Sequence, residues 1–214
     1  MVINFFGRRG SGKTTVIRGN LHWCRPPILV IDVLGNFQRP EYIQCNSIPE
    51  VISTVQNYLK NNPDRTKPGF PVIVLKTGDP TLACDYLSSL IWKINGGTLV
   101  LDEVDSIRMK EGSCFDEFIR YGRNHNGDLL TGCRRPAELD RNITAAANKF
   151  YCFGTHEYRD IEYFEANVFG NRALELQTAE KFTGLFVDYD KNIIGTFQID
   201  PAGNIYHTSD ESLD

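Results

Sequence analysis

The chain has 214 residues, 41% of them hydrophobic and 11% aromatic, and a formal net charge of −4. That composition belongs to a globular chain long enough to bury a full core, and it excludes wholesale disorder. The negative balance excludes a basic coat for nucleic acid, so any nucleic-acid contact falls to a local set of basic residues.

An apolar run at residues 2–6 leads into Gly7-Arg8-Arg9-Gly10-Ser11-Gly12-Lys13-Thr14, followed by Thr15-Val16-Ile17. The octet fits the phosphate-loop pattern G-x-x-x-x-G-K-[ST], and the order strand, glycine-rich turn, helix is the context that pattern requires. Glycines let the backbone curl around an anion, successive N–H groups point inward, and the helix adds the positive end of its dipole. Gly7, Arg8, Arg9, Gly10, Ser11, Gly12, Lys13, Thr14 and Thr15 are therefore expected to hold a nucleoside triphosphate. In that arrangement Lys13 reaches the β- and γ-phosphates, and the Thr14 hydroxyl is a ligand for Mg²⁺.

Further along, Ile17, Leu21 and Cys24 form a helical stripe that Pro26-Pro27 stops, and residues 28–32 (ILVID) read as a strand buried on both faces. Ser47-Ile48-Pro49-Glu50 has the form of a capping box, with Ile52, Val55 and Leu59 behind it. Residues 61–69 (NNPDRTKPG) read as a solvated connection. A strand at residues 72–75 precedes Asp79-Pro80, an N-cap with proline at the first helical position, and Leu82, Tyr86, Leu90, Ile91 and Ile94 are expected to line the helix. Residues 98–103 (TLVLDE) read as a strand ending in two carboxylates. A helix bearing Phe115, Phe118 and Ile119, a strand at 128–133 and a helix bearing Leu139, Ile143, Ala146 and Ala147 follow. Residues 150–153 form another strand, and Ile161, Phe164 and Val168 mark another helix. Residues 174–176, 182–189 and 193–199 read as strands, the last two closing an antiparallel hairpin across Asp190-Lys191-Asn192. Asp210, Glu211 and Asp214 read as a frayed acidic tail.

Strands alternating with helices predict an α/β fold: a P-loop NTPase with a mainly parallel sheet, helices on both faces and the C-terminal antiparallel hairpin, in one domain over residues 1–207 with a tail at 208–214. Ligands of such sheets sit beyond the carboxyl ends of the strands, where this reading places the P-loop, Asp32, Asp102-Glu103 and Cys133-Arg134-Arg135. Asp102 suits a second metal-shell carboxylate beside Thr14. Glu103, directly after it, suits a general base that polarises water against the γ-phosphate. Arg134 and Arg135, before Pro136, are positive charges that follow a strand and suit sensing of the γ-phosphate.

The set Gly7 to Thr14, Ile31-Asp32 with Gly35, Leu99 to Glu103, and Thr131-Gly132-Cys133-Arg134-Arg135-Pro136 resembles the FtsK/HerA superfamily of DNA-pumping ATPases. It is most similar there to the small genome-packaging ATPases of membrane-containing icosahedral viruses, over residues 1 to about 170. The resemblance implies hydrolysis of ATP with Mg²⁺, Lys13 and Thr14 as the Walker A pair, Asp102 as metal-shell carboxylate and Glu103 as catalytic base. It also implies a homo-oligomeric ring, a hexamer or pentamer, that moves double-stranded DNA, with a capsid vertex or membrane protein as a further partner. The family's sensor turn reads Thr-Gln-Arg-Pro; here Cys133 and Arg134 stand at the first two positions, while Arg135 and Pro136 match. Arg120, Arg123, Arg135 and Arg141 are candidates for an arginine supplied to a neighbour.

A small-molecule or nucleoside kinase, or a secretion or phage-assembly ATPase of the same superfamily, are the alternatives; a guanine-reading N-K-x-D segment is missing from the sequence. Cys24, Cys45, Cys84, Cys114, Cys133 and Cys152 make no C-x-x-C pair and read as small core residues of a reducing compartment. With no leader pattern and no apolar run near ~18 residues, the expectation is a soluble protein without a transmembrane segment, in the host cytoplasm or the virion.

Overall fold

A computed structural model describes residues 1–62 and 71–213. Most of the expected 61–69 connection, and Asp214, lie outside the described residues. The described residues pack as two compact units: residues 1, 21–62, 71–102 and 106–130 form the first, and residues 2–20, 103–105 and 131–213 the second.

The first unit holds β2 (Ile28–Asp32), β3 (Ile43–Cys45), β4 (Val72–Lys76) and β5 (Gly97–Asp102), all paired in parallel in the order β3-β4-β2-β5. Every residue of β2 and β5 is buried, as continuous apolar runs between neighbours on both sides should be. The register sets Asp32 opposite both Lys76 and Asp102, at the carboxyl ends of three strands. Three helices belong to this unit: α2 (Ile48–Asn61), α3 (Pro80–Lys93) and α4 (Cys114–Tyr121). Their starts follow side-chain capping: Ser47, Asp79 and Ser113 accept from the N–H groups of Glu50, Leu82 and Asp116. Glu50 reaches back to the Asn46 N–H at 2.7 Å, one residue earlier than a standard capping box.

The buried face of α3 differs from the expected one. Ala83, Leu87, Leu90 and Ile91 are buried with Cys84 and Ser88, whereas Leu82 and Tyr86 are about half exposed. Small residues at 83, 84 and 88 let the helix lie close, so the narrow side packs and the bulkier residues stay outside. In α2 the buried pair is Val51 and Val55, one position from the stripe expected at its start.

In the second unit β1 (Val2–Phe6) pairs in parallel with β7 (Lys149–Phe153), and β8 (Thr183–Asp188), β9 (Ile193–Ile199) and β10 (Ile205–Ser212) follow antiparallel, in the order β1-β7-β8-β9-β10. Strand β6 (Gly127–Cys133) contributes its first four residues to the first unit and its last three to the second. Helices α1 (Lys13–Asn20), α5 (Arg141–Ala145) and α6 (Tyr158–Phe164) complete the second unit. Its core is aromatic: Tyr151 stacks between Phe5 at 5.3 Å and Phe186 at 5.8 Å, and Phe153 meets Phe197 edge-on at 5.0 Å. The sheet is thus mostly parallel with antiparallel strands at the C-terminal side.

Three expectations are corrected in this unit. Residues 174–176 lie in a 3-10 helix, Gly170–Gln177, because the buried residues are Ala173 and Leu176, three apart, with Leu174 exposed. The helix expected around residues 139–147 is two short pieces, Pro136–Glu138 and α5, since Asp140 caps a new start by accepting from the Asn142 N–H. The frayed tail is instead part of β10, where Asp210 and Glu211 pair with Gly195 and Ile194.

Candidate active site

The P-loop links β1 to α1 within the second unit. Gly10 and Gly12 have φ of +79° and +113°, conformations that L side chains rarely adopt. A Cβ on Gly7 would lie 2.6 Å from Ser11 Oγ and 2.9 Å from Phe153 Cβ, so the loop closes on itself only with glycine there. Lys13 is buried, and its ammonium donates to the carbonyls of Gly7 at 2.5 Å and Arg8 at 3.2 Å. The loop therefore wraps a fixed positive charge. The Ser11 hydroxyl is also buried and has no hydrogen-bond partner among the described residues.

The end of β6 fastens this loop. Cys133 O accepts from Gly7 N at 3.2 Å, and Gly132 O accepts from Glu103 N at 2.9 Å. Upstream, the Thr131 hydroxyl donates to Asn4 Oδ1 at 2.6 Å, tying β6 to β1 through two buried side chains. Glu103 has φ of +80°, and its Oε2 accepts from Arg134 Nε at 2.7 Å. Glu103, Arg134 and the first P-loop residue are thereby held by one turn, residues 132–134. Arg135 is directed elsewhere, with its Nη2 3.6 Å from the Glu157 carboxylate. The Cys133 thiol donates to Arg135 O at 3.2 Å and so occupies the turn's interior.

A cleft of about 370 Å³ runs beside the P-loop, lined by Arg8, Arg9, Ser11, Phe153, Lys181 and Phe182 among others. Its size is that of a small-ligand site, and basic and aromatic side chains both line it. The Lys181 ammonium lies 4.7 Å from the Phe182 ring centre. Nothing local in the sequence marks residues 179–182 as part of this lining, because they are far from any motif.

In the first unit, Asp102 ends β5 with only 3% of its surface exposed and accepts from Asn36 Nδ2 at 3.2 Å. Asp32 carries a different task. Its two oxygens accept from the backbone N–H groups of Gly35, Asn36 and Phe37 at 2.8 to 2.9 Å, so its charge shapes the loop that presents Asn36 to Asp102. The Asn36 contact was hidden in the sequence, since nothing local marks an asparagine as the partner of a residue 66 positions away.

Within the second unit the donor set suits a phosphate chain: a buried ammonium inside a glycine loop, a buried hydroxyl with no hydrogen-bond partner among the described residues, and the Thr14 hydroxyl at the first turn of α1. No group of three or more His, Cys, Asp or Glu residues able to hold a metal occurs among the described residues. No helix among the described residues is long and apolar enough to cross a membrane.

No protein-family model and no curated protein matches the sequence. Solved structures do match. The genome-packaging NTPase B204 from Sulfolobus turreted icosahedral virus 2, bound to sulfate, superposes with a TM-score of 0.72 at 17% identity, covering 91% of this chain and 94% of that one. The same protein bound to AMPPCP gives 0.71 at 17% identity, covering 91% and 95%. VirB4 of Thermoanaerobacter pseudethanolicus gives 0.56 at 12% identity, covering 99% and 89%. The chain therefore has the P-loop NTPase fold.

Proposed function

We propose that this protein is an ATP-hydrolysing DNA translocase that packages double-stranded viral DNA into a preformed capsid, working as one ATPase domain in a homo-oligomeric ring. The observation that carries this reading is the joint anchoring of the P-loop and Glu103 on the 132–134 turn, which gives a phosphate cradle and a carboxylate base a common support. The fold shared with B204, a genome-packaging NTPase solved with AMPPCP and ATP-gammaS, supports ATP as the nucleotide. In the proposed roles Gly7 to Thr15 hold the phosphates, Lys13 supplies charge to the β- and γ-phosphates, and Thr14 and Asp102 would hold Mg²⁺, which would withdraw charge from the phosphate oxygens when bound. Glu103 takes the proton of the attacking water. Arg134 and Arg135 answer to the γ-phosphate. The negative total charge is compatible with DNA binding because only the surface facing the DNA has to be basic.

Turnover assays with and without duplex DNA test this. The wild-type protein is expected to release phosphate from ATP and to do so faster with duplex DNA. Lys13→Ala should lose turnover while remaining folded. Glu103→Gln should bind ATP but hydrolyse it at least ~10²-fold more slowly, the usual contribution of a general base. Normal hydrolysis by a folded Lys13→Ala protein would sink the P-loop assignment. Transfer of the phosphate to a small acceptor, with no response to DNA, would make the protein a kinase.

A further inference from the structure

Arg134 stands where the resemblance has glutamine, and its guanidinium holds the carboxylate proposed as the base. The pair is close, 2.7 Å, with the Glu103 side chain 15% exposed and the Arg134 side chain 42% exposed. Glu103 pays for this position with a left-handed backbone, which a residue bearing a Cβ keeps only where its surroundings over-determine it. One turn supplies two of those contacts: Gly132 O takes the Glu103 N–H, and two residues on Arg134 takes the carboxylate. The residue between, Cys133, receives the N–H of Gly7 and so couples the turn to the start of the P-loop. A glutamine could not do the same, being neutral and unable to neutralise a carboxylate.

A guanidinium fork matches phosphate as well as it matches carboxylate, and a γ-phosphate offers more charge and three acceptor oxygens. Resting on the reading of a nucleoside-triphosphate site, we infer that Arg134 exchanges partners: it holds Glu103 while no γ-phosphate is present and passes to that phosphate when the triphosphate binds. Before the exchange, the oxygen that would take water's proton already accepts from the guanidinium. After it, Glu103 is released to water at the moment the substrate is in place. Arg134 is then a positioning residue for the base and a γ-phosphate ligand in turn, and a diphosphate leaves the pair intact.

The exchange predicts a thermodynamic signature separate from turnover. Breaking the pair opposes binding of the triphosphate alone, so Glu103→Gln, which removes that ion pair in advance, should tighten AMPPCP by about 1.5- to 5-fold, the worth of a partly exposed ion pair, and leave ADP affinity unchanged. Arg134→Ala should weaken AMPPCP and again leave ADP unchanged. In the Arg134→Ala background, Glu103→Gln should do nothing further. Calorimetric titration of ADP and AMPPCP into the wild type, both single variants and the double variant reads all of this, with ADP affinity as the check that each variant is folded. Arg134→Gln carries the same cycle should Arg134→Ala fail to fold. Equal tightening by Glu103→Gln with and without Arg134 would mean a through-space charge effect and overturn the exchange, as would no tightening at all. A wild-type protein that binds neither nucleotide would overturn the nucleotide-site reading itself, a different result from binding both without coupling.

Discussion

Asp102 and Glu103 are neighbours in sequence with opposite settings. Asp102 keeps the extended backbone of β5, is buried and meets Asn36; Glu103 turns out of the strand at φ +80° and meets Arg134. An acidic pair after an apolar strand was legible as two candidate roles, but the left-handed turn that separates them was not, because no glycine or asparagine marks it. The cysteines show the same limit. Cys45, Cys84, Cys133 and Cys152 are buried as expected, but Cys114 is exposed because it opens α4 on that helix's outer side. Burial pushes the Cys84 thiol up, with Asp85 adding to it, and burial pushes Cys152 up further than its neighbour Asp160 does. Burial, helped by Asp128, drives Cys24 up to about 12. Because the folded values lie above the unfolded thiol value of about 8.5, these groups contribute stability that is complete below that pH and is lost as pH rises toward the folded values. A disulfide reagent at pH 8 should therefore modify one thiol quickly, that of Cys114, and the denaturation midpoint should fall between pH 8 and pH 10. A Cys114→Ser protein that still shows a fast-reacting thiol would contradict this assignment.

Elements with a strong repeating pattern were legible, and those held by a partner were not. The strands β2, β4 and β5 announce themselves as continuous apolar runs because a residue buried on both faces leaves no alternation to misread. β3 is three residues long, with Ile43 and Gln44 exposed, and β10 is a polar sequence paired only with β9, so their strand character comes from the neighbour. The hairpin of β8 and β9 was visible from its turn, but its tight seat on β7 was not. A Cβ on Gly184 would collide with Cys152 O and lie 2.8 Å from Cys152 C and 2.9 Å from Phe153 Cα, all backbone atoms of β7. Backbone in the middle of a paired strand cannot yield as a side chain can. Gly184→Ala should therefore destabilise the protein by about 1–3 kcal/mol, the usual cost of overfilling a packed site, and lower its thermal midpoint. An unchanged midpoint would mean that β7 and β8 can separate without cost.

At the scale of the whole molecule, the proposed translocase needs an assembly, because one P-loop occurs in the sequence and several nucleotides would have to act on one DNA. An arginine that completes a neighbour's site is worth ~10³-fold or more in rate, and the structure sorts the candidates. Arg120 donates to Asp116 at 2.9 Å, and that carboxylate is almost fully buried, so Arg120→Ala would also take the guanidinium partner away from a buried charge. Its loss of activity would then be hard to tell from a loss of stability. Arg135 faces Glu157, whereas Arg123 and Arg141 are exposed, on the 3-10 turn Gly122–His125 and at the start of α5. The expected result is that specific activity rises with protein concentration and with duplex DNA, which offers several subunits one phosphate track. At least one of Arg123→Ala, Arg135→Ala and Arg141→Ala should bind ATP without hydrolysing it. Mixing that variant with Lys13→Ala should restore part of the activity, since each is inactive alone but a mixed ring contains interfaces that pair an intact P-loop with an intact arginine. Activity that is flat on dilution, indifferent to DNA and unrestored by mixing would rule out the ring, leaving a site that completes itself within one chain.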